Sequence, residues 1–172
     1  MKTMKKILAL ALAGVMALAL LTGCGTGGSA SHKSIAKAME EYDRSFKKTP
    51  NVTYTSSAEL DAKLQQLAAK PGFEDVVKAV YTDSALPSIP SSVVPAGKVV
   101  YLYCGKYDKD AGKQAINLNA WGHSTWIAPS NTTTPSLAGE RQIGLITTSF
   151  TDTNGKKVKV RFAVVVSEIP TP

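Results

Sequence analysis

An α+β domain, with about three short N-terminal helices packed on an antiparallel sheet that ends in a C-terminal β-hairpin, is what this sequence predicts. Three observations carry the prediction. Apolar residues recur at steps of three and four through the first half, the signature of helices with one buried face. Residues 98–104 form a run that is apolar on both alternating faces, as a covered strand requires. Asn154-Gly155 separates two apolar runs, a strong signal for a two-residue type I′ turn.

Ile35, Met39, Tyr42 and Phe46 line one face of a first helix of about 14 residues. The opposite face carries Glu40, Glu41, Arg44 and Lys48, and Pro50 ends the segment. Such a stripe is read as core-facing rather than as a cofactor or partner surface. Ser56-Ser57-Ala58-Glu59 spells a capping box in which the Ser56 hydroxyl accepts from the Glu59 amide. Leu60, Leu64 and Leu67 follow at helical spacing until Pro71-Gly72, and Phe73, Val76, Val77 and Val80 predict a shorter third helix. Residues 82–97, with Pro87, Pro90 and Pro95, read as an irregular surface crossing inside one domain rather than as an interdomain linker.

Beyond the strand at residues 98–104, further strands are expected near residues 114–121 and 124–128. The type I′ turn sets Lys157 opposite Asp152, Val160 opposite Ser149, Phe162 opposite Thr147 and Val166 opposite Ile143. Ile143, Leu145, Phe162, Val164 and Val166 then share one face. Asp152, Lys157, Lys159, Arg161 and Thr148 share the other, with Phe150 beside Lys159. A one-residue slip would turn the basic row inward.

The N-terminal region has a different character. Lys2, Lys5 and Lys6 precede an almost purely apolar stretch, residues 7–21, which closes on Leu21-Thr22-Gly23-Cys24. The stretch is shorter than the roughly 20 residues of a membrane-spanning helix. Small and polar residues follow it without a charge cluster, as after a removed export signal. This arrangement resembles a bacterial lipoprotein signal peptide with its lipobox. The resemblance implies that residues 1–23 are removed and that Cys24 becomes the first residue, carrying a diacylglyceryl group with palmitate-type chains. One chain holds marginally and two hold stably, so Cys24 would tie the protein to the cell membrane or outer membrane, outside the cytoplasm. The alternative is an ordinary secretory signal that leaves Cys24 a free thiol. Residues 24–33 read as the lipidated Cys and a flexible Gly/Ser tether, and residues 34–172 as a single α+β domain.

The full chain carries 20 Lys and Arg against 13 Asp and Glu, a net charge of +7. Without Lys2, Lys5 and Lys6 the balance is 17 against 13, and all of that excess lies from Lys98 onward, nine against five. This mild bias lacks the concentrated stripe of a nucleic-acid binder, so no nucleic-acid partner is expected. Anionic head groups and wall polymers remain open as partners beside a plain solvated surface. Cys104, the only other Cys, has no mate for an internal disulfide.

Candidate chemistry is sparse. Cys104 and His123 are the Cys–His pair of the mature domain, with Asp108, Asp110 or Asn119 available to orient the imidazole. Their order matches that of some wall-cutting peptidases that resemble papain, but those place the nucleophile at a helix N-terminus, where its pKa falls. Cys104 instead ends a strand on the face of Val100 and Leu102, which favours a buried structural thiol. Trp121, His123 and Trp126 form a candidate binding group, one indole serving as a stacking platform for a cell-wall glycan with Asn117 or Asn119 alongside. Asp108-Lys109-Asp110-Ala111-Gly112 departs from a calcium loop, because glycine falls fifth and Asn119 stands twelfth where Glu belongs. No zinc spacing, phosphate-cradling loop or nucleophile elbow is present, so no metal and no cofactor is expected. The sequence thus reads as a lipid-anchored envelope protein with a non-catalytic binding or assembly domain. A thiol or wall-active hydrolase using Cys104 and His123, and a component of a secretion or surface-assembly system, are the alternatives.

Overall fold

A strand that is apolar on both faces needs cover on both sides. The computed structural model, which describes residues 30–84, 98–120, 124–127 and 139–168, supplies that cover. Five strands, β1 (Thr53–Ser56), β2 (Lys98–Lys106), β3 (Ser124–Ile127), β4 (Glu140–Thr151) and β5 (Lys157–Glu168), form one sheet in the order β1-β4-β5-β2-β3. Helices α1 (Ala30–Phe46) and α4 (Ala111–Leu118) lie on one face, and α2 (Ala58–Ala68) and α3 (Phe73–Tyr81) on the other. The α+β class and the C-terminal hairpin are as expected. The sheet, however, is mixed rather than antiparallel, because β1 runs parallel to β4. The helices also number four among the described residues and divide between two faces.

Two cores result. Leu60, Leu64, Leu67, Phe73, Val76, Val77 and Val80 pack on Val100, Leu102, Cys104, Ile146, Phe150, Phe162, Val164 and Val166. Behind the sheet, Ile35, Ala36, Met39, Ala115 and Leu118 pack on Val99, Tyr101, Tyr103, Ile143, Leu145, Ala163 and Val165. Burying a side chain of this size is worth about 1.5–3 kcal/mol, so the sheet is stabilised from both sides.

Several local expectations shift by a residue or change type. α4 occupies the segment where a strand was expected near residues 114–121. Asp110 caps it, its Oδ1 accepting from the Lys113 amide at 2.8 Å, and Gln114, Ala115 and Leu118 are buried at helical steps. Ser57, not Ser56, caps α2 by accepting from the Leu60 amide, because Ser56 is the last residue of β1. On α1 the buried stripe rotates: Asp43 is fully buried while Phe46, expected in the core, is 71% exposed against Tyr42. The helix starts at Ala30, so its first turns fall within the segment expected to be tether.

The hairpin register differs by one residue from the expected pairing. Thr151 faces Lys157, Ser149 faces Lys159, Thr147 faces Arg161 and Leu145 faces Ala163. The cause is Asp152. Its Oδ1 accepts from the amides of Asn154 (2.9 Å) and Lys156 (2.8 Å), while its own amide donates to the Lys156 carbonyl. Gly155, at φ +76°, donates to the Asp152 carbonyl, which makes a three-residue loop with a left-handed glycine in place of the two-residue turn. The slip moves Phe162, Val164 and Val166 onto the face of Ile146 and Phe150, and leaves Ile143 and Leu145 with Ala163 and Val165. It also turns the basic row, as the slip argument requires. Arg161 is buried, and Lys157 and Lys159 stand exposed on the α1/α4 face opposite Thr151 and Ser149 rather than beside Phe150.

β1, a four-residue strand with no counterpart in the sequence reading, ends where α2 begins, and α2 takes over the edge of β4. Ser57 donates its amide to the Ile143 carbonyl, and Asp61 Oδ1 accepts from the Leu145 amide at 2.7 Å. Gly144 makes this approach possible, since a Cβ there would run into Leu60.

Candidate functional site

Among the described residues, the α1/α4 face holds two polar features that its packing cores do not explain. The first is sealed. Asp43 on α1 and Arg141 at the start of β4 are buried, with Asp43 Oδ2 3.6 Å from Arg141 Nη1. The Tyr54 hydroxyl links them, donating to Asp43 Oδ2 at 2.8 Å and accepting from Arg141 Nη1 at 2.9 Å. The guanidinium lies 4.9 Å from the Tyr101 ring centre and 5.4 Å from that of Tyr54, within cation–π range. Lys47 Nζ makes an ion-pair contact with Asp43 Oδ1 at 2.9 Å, without hydrogen-bond alignment, and donates to Asn119 Oδ1 at 2.8 Å. Burial pushes the Tyr54, Tyr101 and Tyr103 phenols above their ordinary range. The arrangement ties α1, β1, β2, β4 and the end of α4 together.

The second feature is open. On this face the hairpin extends past its helical cover beyond buried Arg161, and Lys157 and Lys159 stand exposed. Lys157, Lys159 and Arg161 form one column on β5, and Thr151, Ser149 and Thr147 face them across the strand pair. Tyr107, just after β2, underlies this column: Lys159 Nζ is 4.0 Å from its ring centre and the Arg161 guanidinium 5.3 Å. The Tyr107 amide donates to the Lys159 carbonyl, which extends the pairing and fixes the ring in place. Burial lowers the Arg161 pKa, partly offset by Tyr107. A column of cations opposite a column of hydroxyls presents charge and hydrogen-bond donors together, a chemistry suited to phosphate-bearing partners. Period-two spacing of Lys157, Lys159 and Arg161 announced the column in the sequence, but its face depended on the turn.

The predicted site residues fare differently. Cys24, Trp121 and His123 lie outside the described residues. Trp126 lies on the edge strand β3, paired in register with Tyr101. Asn119 is committed to Lys47, Met39 and the Ala115 carbonyl. Asp108 and Asp110 are committed to the amides of Asp110 and Lys113.

Cys104 is fully buried among Val100, Leu102 and Phe162, and burial pushes its thiol up to about 12. The thiolate is the nucleophile, so a thiol held neutral in a core is inert. Native protein is therefore expected to resist iodoacetamide at Cys104 at pH 8 and to react fully in 6 M guanidinium, as read by mass spectrometry. The same shift has a stability consequence. The unfolded thiol loses its proton near pH 8.5, while the folded one keeps it to about pH 12. The unfolded state thus binds fewer protons across this window, and the Cys104 contribution falls as pH rises through it. Urea midpoints measured at pH 8 and 10 should drop more for wild type than for Cys104→Ala.

Among the described residues no group of His, Cys, Asp and Glu is placed to hold a metal ion, and no helix is long and apolar enough to cross a membrane. Compared with protein-family models, curated proteins and solved structures, the chain matches none.

Proposed function

We propose that this chain is a lipid-anchored cell-envelope protein whose α+β domain binds or helps assemble a partner at the membrane surface without covalent chemistry. The observation that carries this reading is the Leu21-Thr22-Gly23-Cys24 lipobox directly after a basic start and a short apolar run. Two structural features support the non-catalytic half. The thiol of the candidate Cys–His pair is sealed in a core, and the polar residues left open on the hairpin are lysines facing hydroxyls, a pattern that suits binding. The anchor confines the domain to within a tether's length of the bilayer, so a weak surface suffices to hold a partner there.

Expression in a bacterial host with an alkynyl palmitate analogue tests the anchor. The wild-type chain should take up the label and yield a mature form starting at Cys24, whereas Cys24→Ala should remain unlabelled and unprocessed. A wild-type mature form that begins elsewhere, or an unmodified Cys24, overturns the proposal.

A further inference from the structure

We propose that the open face of the hairpin, Lys157 and Lys159 with the facing Thr151 and Ser149, docks the domain onto anionic phospholipid head groups of the membrane that holds its anchor. This rests on the anchor proposed above.

The direction of α1 is the first argument. His32 Nδ1 lies 2.6 Å from Asp61 Oδ2, and Asp61 Oδ1 holds the Leu145 amide, so the first turns of α1 sit at the level of Leu145. Asp43, eleven residues on, sits at the level of Arg141. Helix α1 therefore runs back along β4, and its N-terminus points toward residues 147–151, where the open face lies. The second argument is reach. Five residues separate Cys24 from Ala30, and the six steps of chain span at most about 22 Å. The open face, from the Ser149–Lys159 pair to the Thr151–Lys157 pair, covers about 7 Å of strand. A lipid on Cys24 is thus tethered at the end of the molecule where the cations stand.

Charge complementarity is the third. Acidic groups border the face and offset part of its charge, each holding at least one main-chain amide. Asp61 takes Leu145, Glu74 takes Thr151, and Asp152 takes Asn154 and Lys156. Lys157 and Lys159 stand exposed, with Lys156 at the tip adding a further cation. Each such cation near an anionic leaflet favours docking by roughly fivefold, too little for a soluble domain but enough to orient a tethered one.

The test uses the full-length lipoprotein, purified from membranes and reconstituted in vesicles of phosphatidylcholine alone or with 30% phosphatidylglycerol, both containing spin-labelled head groups. A fluorophore is placed at Thr151→Cys on the open face or at Glu168→Cys at the far end of β5, the buried Cys104 being protected. In phosphatidylglycerol vesicles the Thr151 probe should be quenched and the Glu168 probe spared. The double variant Lys157→Gln/Lys159→Gln, which removes two cations at roughly fivefold each, should lower the docked-to-undocked ratio about 30-fold, and 0.5 M NaCl should lower it as well. Both lysines are exposed, so an unchanged urea midpoint certifies that the double variant is folded. Retention on phosphatidylcholine vesicles reads the anchor separately. Loss of that retention overturns both proposals. Retention with equal quenching at both probes, or with quenching indifferent to the lysines, leaves the face to solvent or to an envelope protein and overturns this one alone.

Discussion

Replacing Asp43 by alanine is expected to lower the unfolding free energy of the full chain by about 3–5 kcal/mol, the cost of leaving a buried charge without its partner. The Arg141 guanidinium would keep the Tyr54 and Tyr101 rings but lose the carboxylate that faces it. Arg141→Met should cost less, because Lys47 Nζ remains 2.9 Å from Asp43 Oδ1 and is itself partly exposed to water. The double variant Asp43→Leu/Arg141→Met should recover part of the loss, since an apolar pair removes both desolvation penalties while the buried Tyr54 hydroxyl loses two hydrogen bonds. Urea denaturation of the four proteins at pH 7 gives the ordering. Equal stability of Asp43→Ala and wild type would show that the pair is not locking the helix to the sheet.

The second large effect is steric. Gly105 on β2 lies directly under α4, and an alanine Cβ there would sit 2.5 Å from the carbonyl carbon and oxygen of Asn117 and 2.7 Å from the Leu118 amide nitrogen. All three are backbone atoms, so no side chain can swing aside, and the helix itself must move off the strand. Gly105→Ala should therefore destabilise by about 3 kcal/mol, the upper end of ordinary overpacking. Gly112→Ala, inside α4 with only Asp110 Oδ1 at 3.4 Å, should instead gain about 0.5–1 kcal/mol from helix propensity. Opposite signs from two Gly→Ala changes within eight residues separate backbone contact from propensity. Paired urea midpoints are sufficient to see it.

The candidate site shows where local reading stops. Lys157, Lys159 and Arg161 alternate, and any strand places them on one face. Which face that is depends on the turn, and there Asn154-Gly155 competes with Asp152 four residues before Lys156. The carboxylate wins by holding two amides, and the whole basic column changes sides. Similarly, Asp43 reads as one more charge on the outer face of α1. Its burial follows from Arg141, ninety-eight positions later, which no helical periodicity can report.

The sequence by itself determined the pieces whose causes are local. Pro71-Gly72 separates two helices, Phe73 to Val80 marks a buried helical face, residues 98–104 demand cover on both sides, and the C-terminal runs fold back on each other. The tertiary structure alone decided the rest: the parallel pairing of β1 with β4, the division of helices between two faces, α4 over Gly105, and the hairpin register. Each of these depends on contacts between residues far apart in the chain, where a single side chain or the absence of a Cβ selects among pairings that local spacing leaves equal.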